Sequence, residues 1–224
     1  MFTLAYALCA VGQAVLAIIA IWLFTRHKSL GAFMLILPCA AVVWDNAMIA
    51  LGATIGDGPT LVGLSWPRFI GHAVFTPLWI FTGAGLAWRA GVKWLGTRWA
   101  FIGQWVLYVV CLVFGWLRSV TFLKMSPVSG NGLFYYANTG SFPGPPIGSV
   151  AMLIVVLVCG IAVWRLTKSP WMFLGSFFML AVSIYRTGAV MELLGNTGEV
   201  IMAVSLVVTE YIFQQRGLTQ TVVA

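Results

Sequence analysis

Seven apolar stretches, separated by short polar or glycine-rich breaks, set the pattern of this chain. They cover residues 3–25, 30–55, 67–88, 99–123, 148–164, 170–191 and 199–215. A helix of about 20 apolar residues crosses the ~30 Å hydrocarbon core of a bilayer. The pattern therefore predicts an all-α, polytopic bundle of seven transmembrane helices, with residues 1–224 forming a single integral membrane domain. Arg26-His27-Lys28 ends the first stretch, and Gly56-Asp57-Gly58-Pro59 ends the second. The first stretch has no basic residue ahead of it and outruns the apolar core of a signal peptide, so it reads as a span.

Composition supports the same class. Apolar residues make up 61% of the chain and charged residues 8%, about a third of the ~25% usual in soluble domains. That excludes a soluble enzyme, a disordered tail and a nucleic-acid-binding module. The net charge of +7 is a topology signal. Arg26, Lys28, Arg89, Lys93, Arg98, Arg165, Lys168 and Arg216 fall at one end of the predicted bundle, with Glu210 as the acid there. At the other end Arg68, Arg118, Lys124 and Arg186 balance Asp45, Asp57, Glu192 and Glu199. The positive-inside rule then puts the N-terminus outside and the C-terminus in the cytoplasm, with the cell membrane as the expected location. Cys9, Cys39, Cys111 and Cys159 lie in apolar runs without CxxC spacing, and read as small buried helix residues rather than metal ligands.

Several charges do not sit in breaks. Counting about 1.5 Å per residue along each helix places Asp45, Arg118, Arg186, His72, Glu192 and Glu199 in one band, in the outer half of the bundle. A charge in hydrocarbon costs at least ~2.5–3.5 kcal/mol unless paired or hydrated. The acids Asp45, Glu192 and Glu199 are thus expected to meet Arg68, Arg118 and Arg186, with Asp45, Arg118 and Arg186 close in space. Such a layer either fixes helix register or lines a polar cavity.

The third stretch contains Arg68, His72 and Thr76, spaced by four on one helical face. Pro67 suits a first helical turn, whereas Pro77, inside the span, should kink it. The fourth stretch carries a second seam: Gln104, Tyr108, Cys111, Gly115 and Arg118. Gly83 and Gly85 suit close helix contact. Trp44, Trp79, Trp105 and Trp116 lie within spans and face lipid, core or a flat ligand. The connection from Lys124 to Ile147 is long, contains Asn131-Gly132 and Phe134-Tyr135-Tyr136, and reads either as a lid over the polar layer or as an aromatic hairpin at the membrane interface.

No span has a mid-membrane lysine for a retinal Schiff base. His27 and His72 sit at different depths and cannot clamp one haem, while single axial ligation of a haem or chlorophyll by His72 stays open. No P-loop, HExxH or GxSxG pattern occurs. The expected function is binding or modification of an amphipathic lipid or isoprenoid-like molecule. Its acid–base groups would be His72, Asp45 and Glu192, and its ligand contacts Asn46, Arg68, Thr76, Tyr108, Arg118 and Arg186. No metal site and no specific cofactor are read from the residues. The alternatives are a non-catalytic subunit or pigment- or haem-binding accessory of a membrane complex, with a membrane-protein partner, and, behind it, a transporter.

Overall fold

Apolar stretches of this length satisfy their backbone polar groups internally by forming helices. A computed structural model describes residues 2–140, 142, 146–184 and 189–218. Apart from one β-hairpin, the regular structure of these residues is helical. The helices are α1 (Phe2–His27), α2 (Leu30–Ile55), α3 (Pro59–Val74), α4 (Trp79–Arg89), α5 (Arg98–Trp116), α6 (Ile147–Thr167), α7 (Trp171–Ile184) and α8 (Ala189–Gln215). Six helical segments are long and apolar enough to cross a membrane: Phe2–His27, Leu30–Ile55, Pro59–Arg89, Arg98–Thr121, Ile147–Thr167 and Glu192–Gln215. Of the sixth predicted span, α7 is the part described up to residue 184. α7 has 14 residues, about 21 Å of helix.

Local sequence explains the boundaries. Ser29 caps α2, its hydroxyl accepting from the Ala32 N–H at 3.1 Å, and Thr97 caps α5 in the same way. Lys168, in the left-handed region at φ 62°, ends α6. Pro59 opens α3, so this helix starts two turns earlier than expected. Pro67 therefore lies inside α3 and not in its first turn. The kink expected at Pro77 is a full break. α3 stops at Val74, Thr76–Leu78 form one 3₁₀ turn, and α4 restarts at Trp79. Proline has no N–H for the helical ladder, and the Val74 carbonyl left over at the break accepts from the Tyr108 hydroxyl of α5 at 3.2 Å. At the chain's end, the outer turn expected between 191 and 199 is helix, since α8 begins at Ala189.

α4 is the central element. Trp79, Ile80, Phe81, Thr82, Gly83, Ala84, Leu86 and Ala87 are all buried, against α2, α6 and α8. Between apolar helices in lipid, close backbone approach replaces hydrophobic gain as the main attraction. Gly83 permits this on α6, where an added Cβ would lie 3.5 Å from the Val156 Cα, whereas Gly85 faces open space. α8 packs on both α1 and α7 and closes the bundle. α5 is peripheral, with Cys111 its one buried residue. All four cysteines are buried and unbridged.

The long connection forms an antiparallel hairpin, β1 (Met125–Gly130) with β2 (Leu133–Asn138). Asn131 and Gly132 have φ of 54° and 81°, the left-handed pair that a two-residue hairpin turn requires. The hairpin rests on the bundle at Gly52 of α2, where an added Cβ would stand 1.9 Å from the Phe134 carbonyl oxygen. Only glycine permits that approach.

Candidate functional site

The residues under the hairpin make a buried polar chain. The Arg68 Nε donates to Asp45 Oδ1 at 2.7 Å, and its Nη1 donates to the Tyr136 carbonyl of β2 at 3.0 Å. Asp45 Oδ2 is 3.2 Å from His72 Nε2, and His72 Nδ1 is 3.9 Å from Glu199 Oε1. Asp45, Arg68 and Glu199 are buried, while the His72 ring keeps 32% of its surface exposed. A neutral imidazole that donates from Nε2 to Asp45 presents Nδ1, an acceptor, toward Glu199. The bidentate capacity of Asp45 is thus divided between a guanidinium that fixes it and an imidazole that it orients.

Two cavities meet at His72. One, of about 270 Å³, lies between α3, α5, α6, α7 and α8; the other, of about 280 Å³, lies under the hairpin. Phe69, His72, Asn138 and Glu199 border both. Each is near the ~300 Å³ lower limit of ordinary ligand pockets, so the two are best regarded as chambers of one site. The chamber under the hairpin carries Asp45, Arg68, Glu192 and Asn196. The other joins Arg118 and Glu199 to an apolar wall that includes Phe114, Phe142, Met152 and Leu153. Arg118 lies on a π-helical turn, Leu117–Thr121, that continues α5. Such turns recur at functional sites because the extra residue re-aims side chains.

Among the described residues, five polar contacts tie the hairpin down. The Tyr135 hydroxyl donates to the Glu192 carboxylate, and the Tyr136 hydroxyl to the Asp57 carboxylate. The Thr3 hydroxyl donates to the Gly132 carbonyl at 2.8 Å, and Arg68 supplies the fourth. The fifth is the Asn138 amide, which donates to the Arg118 carbonyl at 3.0 Å. Burial, reinforced by the hydrogen bond to Glu192, pushes the Tyr135 phenol above its ordinary value of 10. The Tyr136 phenol is raised chiefly by its hydrogen bond to Asp57.

The expected residues are only partly assembled in this way. Asp45, Arg68, His72 and Glu192 share the chamber under the hairpin. Thr76 and Arg118 border the other. Asp45 takes Arg68, not Arg118, as its guanidinium partner. Asn46 turns back to the Val42 carbonyl at 3.0 Å, and Tyr108 serves the helix break. Neither borders a chamber. Arg186 lies outside the described residues. Glu199, Asn196 and Tyr135 belong to the site without having been singled out as site residues. Glu192, Asn196 and Glu199 follow i, i+4, i+7, one face of a helix, a signal that a break placed at 191–199 concealed.

A second buried network, at the opposite end of the bundle, was not anticipated. Glu210 is fully buried and paired through both oxygens with Arg89, the last residue of α4. It also accepts from Ser29 at 2.8 Å and Gln214 at 2.9 Å. Gln214 donates in turn to the Leu23 carbonyl of α1. Both networks therefore engage α2 and α8. One holds α3 and the other α4, the two halves of the broken span.

The sequence matches no protein-family model and no curated protein.

Proposed function

We propose that the chain is a multi-pass membrane protein that crosses the bilayer seven times and binds or modifies an amphipathic lipid or isoprenoid-like molecule. The observation that carries this reading is His72, set between Asp45 and Glu199 at the wall shared by a charged chamber and a partly apolar one. A head group fits the first and the start of a chain the second. Ile147 and Phe122, both more than 40% exposed, would face lipid beside the apolar wall. The seventh crossing is supported by the ends of α7 and α8. Ser183 borders a chamber near the hairpin end, and Arg216 donates to the Thr167 carbonyl at the other. α7 therefore runs from the Thr167 end of the bundle toward the hairpin end.

If the protein is catalytic, the geometry suits proton transfer. Asp45, held by Arg68, orients the ring through Nε2. Glu199 Oε1 stands 3.9 Å from Nδ1 and would close to hydrogen-bond distance for a proton to pass, and imidazole is the side chain that exchanges protons near neutral pH. Both ring nitrogens face carboxylates, which favours this reading over axial ligation of a haem or chlorophyll.

The test compares His72→Gln with His72→Phe in detergent-purified protein, with bound lipid identified by extraction and mass spectrometry. Wild type should retain a defined amphipathic lipid, and His72→Phe should fold with that lipid depleted. If the substrate is turned over, neither variant should convert added substrate. A folded His72→Phe variant with undiminished lipid content would defeat the assignment.

A further inference from the structure

Two polar side chains at the helix break have no partner among the described residues. Thr76 Oγ1 and Trp79 Nε1 are both buried and both make no hydrogen bond. Thr76 is 9% exposed and Trp79 is 0% exposed. Both residues border the chamber that holds Arg118 and the apolar wall. They follow His72 on the same broken span, Thr76 about 6 Å further along at ~1.5 Å per residue. Buried donors are almost always matched in folded proteins, and an orphan marks a missing partner.

We infer that this break is a subsite for an uncharged acceptor oxygen of the bound molecule, such as a carbonyl or ether, gripped by the Trp79 indole N–H and the Thr76 hydroxyl. The inference rests on the lipid-binding reading of the same chambers and specifies the chemistry of its ligand. An indole nitrogen only donates, and a hydroxyl donates or accepts. An oxygen that accepts from the indole satisfies both at once, because the Thr76 hydroxyl can donate to its second lone pair. The polar atoms now lie beneath the chamber wall. A change of Thr76 rotamer and a small tilt of the indole present them to a ligand. An ion is disfavoured there. Met152, Leu153 and Met179 line the same chamber, and a charge among them is desolvated. Arg118 comes three residues after Gly115, which packs on Ala73, and so lies toward the hairpin. The ligand is thus neutral and oxygenated at its deeper end, while its reactive end meets His72.

Full-length protein in mild detergent would be titrated with 2-tridecanone and with tridecane, and the apparent Kd taken from the concentration dependence of the melting temperature. The ketone should bind wild type more tightly than the alkane. Thr76→Val and Trp79→Phe, each close to the original shape, should lose affinity for the ketone by about five- to tenfold, one hydrogen bond's worth, and leave the alkane unchanged. If Trp79→Phe fails to fold, Thr76→Val decides alone. Equal affinity for ketone and alkane, or unchanged ketone affinity in the variants, overturns the subsite and leaves the lipid reading standing. Failure of wild type to bind either compound overturns the lipid reading and the subsite with it.

Discussion

Glu210 and Arg89 show how a buried charge constrains its neighbours. A carboxylate with no exposed surface is tolerable only because Arg89, Ser29 and Gln214 all donate to it. Desolvation offsets much of the attraction within such a pair, so breaking it is costly while replacing it with apolar groups is not. Arg89→Ala is therefore expected to destabilise the fold by about 3–5 kcal/mol. Glu210→Gln, which keeps the hydrogen bonds to Ser29 and Gln214, should cost less. The double change Arg89→Met with Glu210→Leu should recover most of the loss. Reversible unfolding of the four proteins in mixed micelles measures this, and simple addition of the two single losses in the double variant would mean that the charges are uncoupled. The pair escaped the sequence reading because charges at the ends of apolar stretches are normally solvated. Both residues were counted as topology signals. The depth of the polar layer was legible because Asp45, Arg118 and His72 lie at least a turn inside their apolar stretches, too deep to be solvated by a loop. Its pairing was not. Rise per residue gives a side chain's height in the bundle but not the direction it faces, so a grouping of Asp45 with Arg118 and Arg186 by depth does not single out Arg68, the guanidinium that pairs with it.

At the scale of elements, the hairpin is the piece whose role the sequence left open, and its contacts make it a lid. The Asn131-Gly132 turn and the aromatic run were visible. What the sequence withheld was where the hairpin lands, because that depends on Gly52, far from Phe134 in the chain. Gly52→Ala should lift β2, since its Cβ would occupy the place of the Phe134 carbonyl. Gly63→Ala, where a Cβ meets nothing within 4 Å, is the control. Hydrogen exchange should show hairpin amides losing protection in Gly52→Ala alone, with α1 and α2 unchanged. The lid's response to pH follows from the Tyr135 phenol. Its value in the folded chain is raised above 10 by burial and by the bond to Glu192. The contribution of the neutral phenol is complete below pH 10 and disappears as pH rises through the elevated value. Intrinsic-rate-corrected exchange of the hairpin should therefore stay flat from pH 7 to about pH 9. A rise within that interval would show that Tyr135 does not hold the lid.

For the whole molecule, the remaining question is which end faces which side. The hydrophobic pattern located most of the helices and missed two starts, that of α3 (Pro59, not 67) by eight residues and that of α8 (Ala189, not 199) by ten. The seventh stretch was started at 199 because Glu192 and Glu199 interrupt its apolar run, whereas α8 includes both and turns them into the hairpin-end site. The structure separates the two ends by charge in a way that the breaks alone did not. Arg89, Lys93, Arg98, Arg165 and Lys168 cluster where α4 and α6 end and α5 begins. At the hairpin end, Asp45 neutralises Arg68, and Asp57 and Glu192 accept from the lid's tyrosines. Positively charged segments are retained on the cytoplasmic side during insertion, so the hairpin is expected outside and the C-terminus inside. The native cysteines are buried and should give little background with a membrane-impermeant maleimide. Single cysteines at the exposed positions Thr60 and Ser129 should be labelled in intact cells. Those at Lys93 and Arg165, also exposed, should be labelled only after the membrane is opened. If α7 with the residues after it turns back without crossing, Arg216→Cys will be labelled from the side opposite to Lys93→Cys. With seven crossings the two label together, α7 carrying the chain from the basic end of the bundle toward the hairpin end, where Ser183 borders a chamber.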